Sequence, residues 1–337
     1  CVCFGSGKVI TLGIETSCDE TSAALVMDGR HILSNVTASS LKLHQRYKGI
    51  IPEIASRAHI ESISLVLAQA LSAAKKGAPD IDVICVTKEP GLIGSLFVGV
   101  SFAKALSLSL NKPLVGVDHL QAHLYANFLS FEKEHRDIPE APFIGLVVSG
   151  GHTSLFCVHK DFSFKPMSAT LDDAAGEAFD KVAKILDLGY PGGPVIEELA
   201  KKGNPLAAGL SCLGGEDLNF SFSGIKTAVL YKVTRAQEHK STRKDMAAGF
   251  QQAVVKVLVE KSLQACRQKR LKSLVIGGGV AANNYFRSRM EQEAKEAGVR
   301  VWFPAKGLNL DNAAMVAGLG YQLFKKGQRD NYYLTPA

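Results

Sequence analysis

Residues 8–27 read KVITLGIETSCDETSAALVM. Two apolar, β-rich runs flank the polar stretch Glu15-Thr16-Ser17-Cys18-Asp19-Glu20-Thr21, a pattern that predicts a hairpin whose turn carries the chemistry. The same idea recurs later. Phe143-Ile144-Gly145-Leu146-Val147-Val148 is an apolar strand, Ser149-Gly150-Gly151-His152-Thr153 a glycine-rich turn, and Ser154-Leu155-Phe156-Cys157-Val158 a returning strand. A third turn, Gly277-Gly278-Gly279, follows Leu274-Val275-Ile276 and precedes a helical stretch over 283–296. Two strand, turn, strand units about 130 residues apart suggest two related halves with a cleft between them.

Between the two hairpins the pattern alternates. Ile54, Ala58, Ile63, Val66, Leu67 and Ala70 approximate helical periodicity over 52–76, until Gly77-Ala78-Pro79 stops it. A strand over 83–86, the turn Pro90-Gly91-Leu92-Ile93-Gly94-Ser95, a helix over 96–110 and a buried strand over 114–117 follow. This is an α/β chain. Charged FEKEHRDIPEAP marks a connector near 126–142, which divides it into a lobe over 8–130 and a second over 141–330, the latter with a helical insertion around 170–250.

Composition narrows the class. With 337 residues, 46% hydrophobic and 21% charged, the chain reads as globular and not disordered. Its 31 glycines and only 7% aromatics suit an α/β protein with tight turns better than a β-sandwich. Lys and Arg total 39 against 32 Asp and Glu, and the net charge of +7 favours an anionic partner, with solubility as the plain alternative. Cysteines at 1, 3, 18, 85, 157, 212 and 266 form no C-x-x-C pair, which argues against a disulfide framework or a cysteine zinc site and for a reducing cytosol. No apolar run is read as approaching the ~18 residues of a membrane helix. The start CVCFGSGKVI resembles neither a signal nor a transit peptide, and its lack of an initiator Met suggests a trimmed or incomplete end.

Glycine turns at strand ends suit phosphate oxygens, because glycine permits the close backbone approach that an anion nest needs. One such turn is equally a structural loop, whereas three are harder to dismiss. Neither the P-loop spacing nor G-x-G-x-x-G is present. His119-Leu120-Gln121-Ala122-His123 puts two imidazoles at i and i+4, on one helix face at chelating distance for Zn or Fe; a helix with two surface histidines is the alternative. Leu120 stands where a metalloprotease needs Glu, so that chemistry is disfavoured. Asp311, followed by Asn312 ahead of an apolar helix, is the candidate third ligand, an N-cap role being the alternative.

A helix read across 172–181 aligns Asp173, Glu177 and Asp180 on one face, with Lys181 beside Glu177. A solvated face is the plain explanation, but the run leads into Gly189-Tyr190-Pro191-Gly192-Gly193-Pro194, a rigid turn suited to a ligand, and Asp180 can accept from a ribose or an amine. Phe220-Ser221-Phe222-Ser223-Gly224-Ile225-Lys226-Thr227 reads as a strand into a helix start. Lys232, Arg235, Lys240, Arg243 and Lys244, then Arg267, Lys269, Arg270 and Lys272, either are solvated helix faces or follow an RNA backbone.

Taken together, G-I-E-T-S-C-D-E-T-S, H-Q-R-Y-K-G-I-I-P-E-I-A-S-R-A-H, P-G-L-I-G-S-L-F-V-G, D-H-L-Q-A-H, V-S-G-G-H-T, D-D-A-A-G-E-A-F-D-K-V-A, G-Y-P-G-G-P, F-S-F-S-G-I-K-T, G-G-G-V-A-A-N and L-D-N-A-A-M closely resemble the tRNA N6-adenosine threonylcarbamoyltransferase family, once labelled O-sialoglycoprotein endopeptidases. The uninterrupted G-E-A-F-D-K and G-Y-P-G-G-P look like its bacterial branch. Two departures stand out: Lys88-Glu89 before Pro90, where Gly is more usual, and Asn309-Leu310 before Asp311, where Cys-Thr is common.

The resemblance implies a two-lobed actin-like nucleotide-binding fold, of the acetate kinase, sugar kinase and Hsp70 type. It implies transfer of threonylcarbamoyl from threonylcarbamoyl-adenylate to adenosine 37 of tRNAs that read codons beginning with A. Its metal ligands fall on His119, His123 and Asp311, with iron favoured over zinc, and its substrate positions on Val147, Val148, Ser149, Gly150, Gly151, Asp180, Gly193 and Asn283. Glu15 and Asp19 are candidate proton acceptors. The implied partners are tRNA, a smaller paralogous subunit, a P-loop ATPase and a separate synthase for the adenylate, all cytoplasmic. Ile60, Ile63 and Leu67 on the helix over 52–76 are the expected docking surface. A small-molecule kinase and a non-catalytic nucleotide-binding scaffold are the rival readings, and the histidine pair discriminates, since a kinase prefers oxygen ligands for Mg.

Overall fold

The computed structural model describes residues 8–47, 49–131, 137–211, 217–234 and 242–337. Cys1, Cys3, Cys212, Arg235, Lys240 and part of the expected connector lie outside the described residues. The chain forms two compact units, Cys1–Asp137 with Leu310–Ala337, and Ile138–Asn309.

The first unit begins with β1 (Ile10–Glu15), β2 (Glu20–Met27) and β3 (His31–Ser39), then α1 (Leu41–Gln45) and α2 (Pro52–Ala74). It continues through β4 (Val83–Glu89), α3 (Ile93–Leu110), β5 (Leu114–Asp118), α4 (His119–Tyr125) and β6 (Ser130–Phe131). The second contains β7 (Phe143–Val148), β8 (Thr153–Val158), β9 (Phe164–Ala169), α5 (Ala175–Ile185), α6 (Gly192–Ala200), α7 (Pro205–Ala208), α8 (Ser223–Thr234), α9 (Arg243–Lys269), β10 (Ser273–Gly277), α10 (Asn284–Glu296) and β11 (Arg300–Trp302). The C-terminal helix α11 (Ala313–Lys325) returns to the first unit.

The duplication glimpsed in the turns holds for the sheets. The first runs β5-β4-β1-β2-β3-β6 and the second β11-β10-β7-β8-β9. In each, a hairpin and a third antiparallel strand (β1-β2-β3, β7-β8-β9) are extended by two parallel strands on the side of the first (β4 and β5, β10 and β11). Every residue of β1 and of β7 is buried, so a continuous apolar run replaces the alternation of a one-faced sheet.

Assigning 310–330 to the second lobe is corrected by packing. A Cβ on Gly13, in the middle of β1, would overlap the Ala313 carbonyl oxygen, so strand and helix meet backbone to backbone. The Ala313 N–H also donates to Ser22 Oγ on β2 at 3.0 Å.

Three further expectations change. Ile63 and Leu67 are 6% and 9% exposed and sit in the core with Ile84 and Val100, so of the expected docking residues only Ile60 is exposed. Helix α3 is long and apolar enough to cross a membrane by length and composition, with a mean hydropathy of 1.6, contrary to the sequence reading. It packs on α2 and β4 through buried Leu96, Val100 and Ala103. Finally, α5 begins at Ala175, so Asp173 does not share a helix face with Glu177 and Asp180. The two aspartates are held outside it. Asp172 accepts from the N–H groups of Phe222 and Ser223 and from the hydroxyls of Ser221 and Ser223, and Asp173 pairs with Lys181 and Lys226.

Replacing Gly13 by Val is expected to force β1 and α11 apart and destabilise the fold by about 1–3 kcal/mol, the usual range for overpacking. A chemical denaturation curve reads this as a lowered midpoint, and an unchanged midpoint would contradict the backbone contact.

Candidate active site: a metal centre and a glycine-lined turn

Strand β5 delivers Asp118, whose carboxylate caps α4 by accepting the Gln121 N–H at 2.9 Å. The helix therefore starts at His119 and sets His119 and His123 one turn apart, with ring centroids 4.5 Å apart. Asp311 arrives from the loop before α11. Asn312, not Asp311, caps that helix, accepting the Met315 N–H at 3.1 Å, so the N-cap alternative for Asp311 falls. Asp311 Oδ1 lies 3.1 Å from His123 Nε2 and 3.6 Å from His119 Nε2. One ligand atom from each of the three residues falls within 4.8 Å of the others.

Both imidazoles are buried, which removes the surface-histidine alternative. His123 Nδ1 has no hydrogen-bond partner, and its Nε2 meets only the Asp311 carboxylate. A buried polar group left unsatisfied costs about 1–3 kcal/mol, and a metal ion relieves it. Two imidazoles and one carboxylate form a donor set suited to Zn or Fe and leave coordination positions open. The residues present thus fit a transition metal. Burial and the neighbouring His119 charge push the His123 pKa down. Burial also works against charge on His119, but Glu15 and Asp311 outweigh it and hold this imidazole up to about 9.

Glu15 stands at the end of β1 with zero exposure. Its carboxylate takes the Ser17 N–H and the Thr87 hydroxyl, the latter at 2.6 Å, and its Oε2 lies 3.0 Å from His119 Nδ1. Both its oxygens thus accept from donors within the fold, and the residue has no solvent exposure. Asp19 remains accessible in part. Burial and the charge of Asp311 raise its pKa, and the same influences push Glu20 up to about 8.

Sequence reasoning missed the buried braces of this turn. His59 places Nδ1 2.8 Å from Thr21 Oγ1 and Nε2 3.0 Å from the Cys18 carbonyl, while His44 Nδ1 accepts the Ile51 N–H at 3.2 Å. Their signal was a pair of histidines in H-Q-R-Y-K-G-I-I-P-E-I-A-S-R-A-H, with no spacing to mark either as a brace.

In the second unit, Val147 and Val148 end β7 and are fully buried, so they offer backbone only. The N-terminus of α5 meets the following turn at Gly176, whose N–H donates to the Ser149 carbonyl at 3.1 Å and where a Cβ would lie 2.5 Å from that oxygen. Gly150, Gly151 and Gly193 are different. None has positive φ, and a Cβ on any of them would meet nothing within 4 Å, so the fold itself does not require glycine there. Glycines facing open space beside a helix N-terminus are what an approaching anionic ligand requires.

Asp180 receives the Gly192 N–H on Oδ1 at 2.6 Å. Burial pushes its pKa up to about 6, with the Gly192 bond opposing and Glu177 adding to the rise. Asn283 is already committed: its Oδ1 caps α10 by accepting the Phe286 N–H, and its Nδ2 donates to Gln251 at 2.9 Å.

The duplicated sheets define an α/β protein of the actin-like fold, whose first unit carries the His119, His123 and Asp311 group and whose second carries the open glycine turn. HypF from T. kodakarensis has the same fold, with a TM-score of 0.63 at 13% identity over 95% of this chain and 48% of that one. Component A of Acidaminococcus fermentans (R)-2-hydroxyglutaryl-CoA dehydratase matches with a TM-score of 0.56 at 18% identity, over 95% of this chain and 100% of that one. The family model TsaD, tRNA N6-adenosine threonylcarbamoyltransferase, matches residues 31–318. Proteins of that name from Dictyoglomus turgidum and Thermodesulfovibrio yellowstonii are 47% and 51% identical, covering 97% of this chain and 97% and 98% of their own lengths. The chain belongs to the TsaD family, transferases that form t6A on tRNA, and the kinase and scaffold readings are set aside.

Replacing His119 by Ala should abolish stoichiometric metal in elemental analysis while circular dichroism stays unchanged; full occupancy would contradict the ligand assignment. On the ribose role that the resemblance implies for Asp180, AMP affinity should be constant well above pH 6 and weaken below it as this carboxylate is protonated. Isothermal titration across pH 5–8 reads this, and Asp180→Asn should flatten the profile; a variant with wild-type affinity and pH dependence would refute the ribose role.

Proposed function

We propose that the chain takes threonylcarbamoyl-adenylate as donor and acylates N6 of adenosine 37 in tRNAs that read codons beginning with A. The observation that carries this reading is the convergence of buried His119 and His123 with half-buried Asp311, which a Mg-dependent kinase does not need. The N6 amine attacks the carbamoyl carbon, the bond from that carbon to the phosphate oxygen breaks, and AMP leaves. The N6 lone pair is delocalised into the purine, so the protein contributes mainly position and charge compensation.

Gly150 and Gly151 receive the departing phosphate through their N–H groups, Asp180 and Gly193 the ribose. Asn283 acts near the base through its surroundings, because its own amide is spent on Gln251 and the α10 cap. Asp19, whose raised pKa suits a proton acceptor, takes the proton released from N6. His119, His123 and Asp311 hold iron in preference to zinc. When bound, that ion supplies Lewis-acid polarisation of a substrate oxygen.

The chain acts in the cytoplasm with tRNA, a smaller paralogous subunit and a P-loop ATPase, and a separate synthase supplies the adenylate. Exposed Ile93, Phe97 and Leu108, spaced along one face of α3, support docking of the paralogue there and on the neighbouring Ile60 of α2. The exposed Arg243, Lys244, Arg267, Lys269, Arg270 and Lys272 support tRNA contact but are too few to hold it alone at physiological salt.

Multiple-turnover modification of tRNA with preformed threonylcarbamoyl-adenylate tests the whole reading by nucleoside analysis. The expected outcome is t6A with the partner proteins present and little from the chain alone. Robust turnover by the chain alone would contradict the partner requirement, and no t6A under any condition would contradict the donor.

A further inference from the structure

The two histidines of the centre are held differently. His123 is gripped by packing on its Nδ1 side, where the ring nitrogen has no hydrogen-bond partner, and its Nε2 meets Asp311. His119 is gripped chemically on its Nδ1 side: Glu15 Oε2 lies 3.0 Å away and Ser17 Oγ 3.3 Å, while its Nε2 faces Asp311. The carboxylate is itself fixed from behind. The Thr87 hydroxyl, from β4, donates to Oε2, and the Ser17 N–H donates to Oε1. Glu15, Thr87 and Ser17 are all essentially without exposure.

We propose that Glu15, steadied by Thr87, is the positioning residue that keeps the proton of His119 on Nδ1 and thereby presents Nε2 to the metal. The inference rests on the metal reading given above. Donors converge on both oxygens of the carboxylate, which marks both as acceptors, so the ring nitrogen beside Oε2 carries the proton. An imidazole offers one lone pair to a metal, and which nitrogen offers it is set by the hydrogen bond that the other makes. Such outer partners orient the ligand and raise its basicity, and their loss commonly weakens metal binding 10–100-fold.

Glu15 reaches this place through sequence and topology together. It is the last residue of β1, and β4 lies parallel beside β1, with Ile14 opposite Val86. Thr87 is therefore the next residue along β4, level with Glu15, and β5 on the far side of β4 runs on into His119. Three neighbouring strand ends thus line up the chain Thr87, Glu15, His119. His123 Nδ1 has no such partner, so of the two imidazoles His119 is the one whose Nδ1 side a carboxylate holds.

The test uses the full chain with zinc as probe and compares wild type with Glu15→Gln and Thr87→Val. A carboxamide at position 15 can turn its NH2 toward Nδ1 and favour a proton on Nε2, so chelator competition should show zinc affinity reduced 10–100-fold in Glu15→Gln and by a smaller factor in Thr87→Val. Proton-nitrogen correlation spectra should show a slowly exchanging Nδ1 proton on His119 in wild type, with and without zinc, that is lost in Glu15→Gln. Zinc affinity within twofold of wild type in both variants, or a persisting Nδ1 proton in Glu15→Gln, would overturn the proposal. Should Glu15→Gln fail to fold, Thr87→Val decides by the same two measurements. A wild-type chain that binds no zinc would overturn the metal reading instead, and the Nδ1 proton in the metal-free protein would still report on Glu15.

Discussion

His123 is buried to zero exposure with its Nδ1 unbonded and only the Asp311 carboxylate beside its Nε2, and the first unit is organised around that costly burial. The β5–α4 junction places both histidines on one face because Asp118 caps the helix at that residue. Asp311 is available because Asn312 takes the cap of α11. Helix α11 lies close enough to bring Asp311 within 3.1 Å of His123 because Gly13 lets its backbone press on β1. A strand, two caps and one missing side chain, none of them a ligand, therefore determine the geometry of the centre.

The second unit uses the same sheet plan for another purpose. Its hairpin turn is open where that of the first unit is closed: Gly150 and Gly151 face empty space, whereas Glu15 and Ser17 are buried among donors. Glycine typically costs folding about 0.5–1 kcal/mol relative to alanine in regular structure. At Gly150 and Gly151 no neighbour within the fold requires it, which is the observation that supports the proposed phosphate contact there. The same strand, turn, strand pattern thus supplies one turn closed against the protein and one open to solvent.

Much of this was legible in the residues. Apolar runs around polar turns marked both hairpins, and the spacing of His119 and His123 marked the centre, because these signals depend on neighbours in sequence. The parts that depend on distant packing were not legible. Ile63 and Leu67 share the apolar character of Ile60, and only the fold decides that two of the three face inward. Asp173 has helical spacing to Glu177, but it lies before the helix and pairs with Lys181 of α5 and Lys226 of α8. The position of α11 turns on a glycine three hundred residues earlier in the chain, and the role of Glu15 on a threonine in another strand. No local periodicity records either.

The most direct test of the centre is X-ray absorption at the metal edge of the purified full chain. The expected result is one transition metal per chain whose inner shell contains two imidazole nitrogens together with oxygen ligands. A shell without imidazole, or one dominated by sulfur, would contradict it.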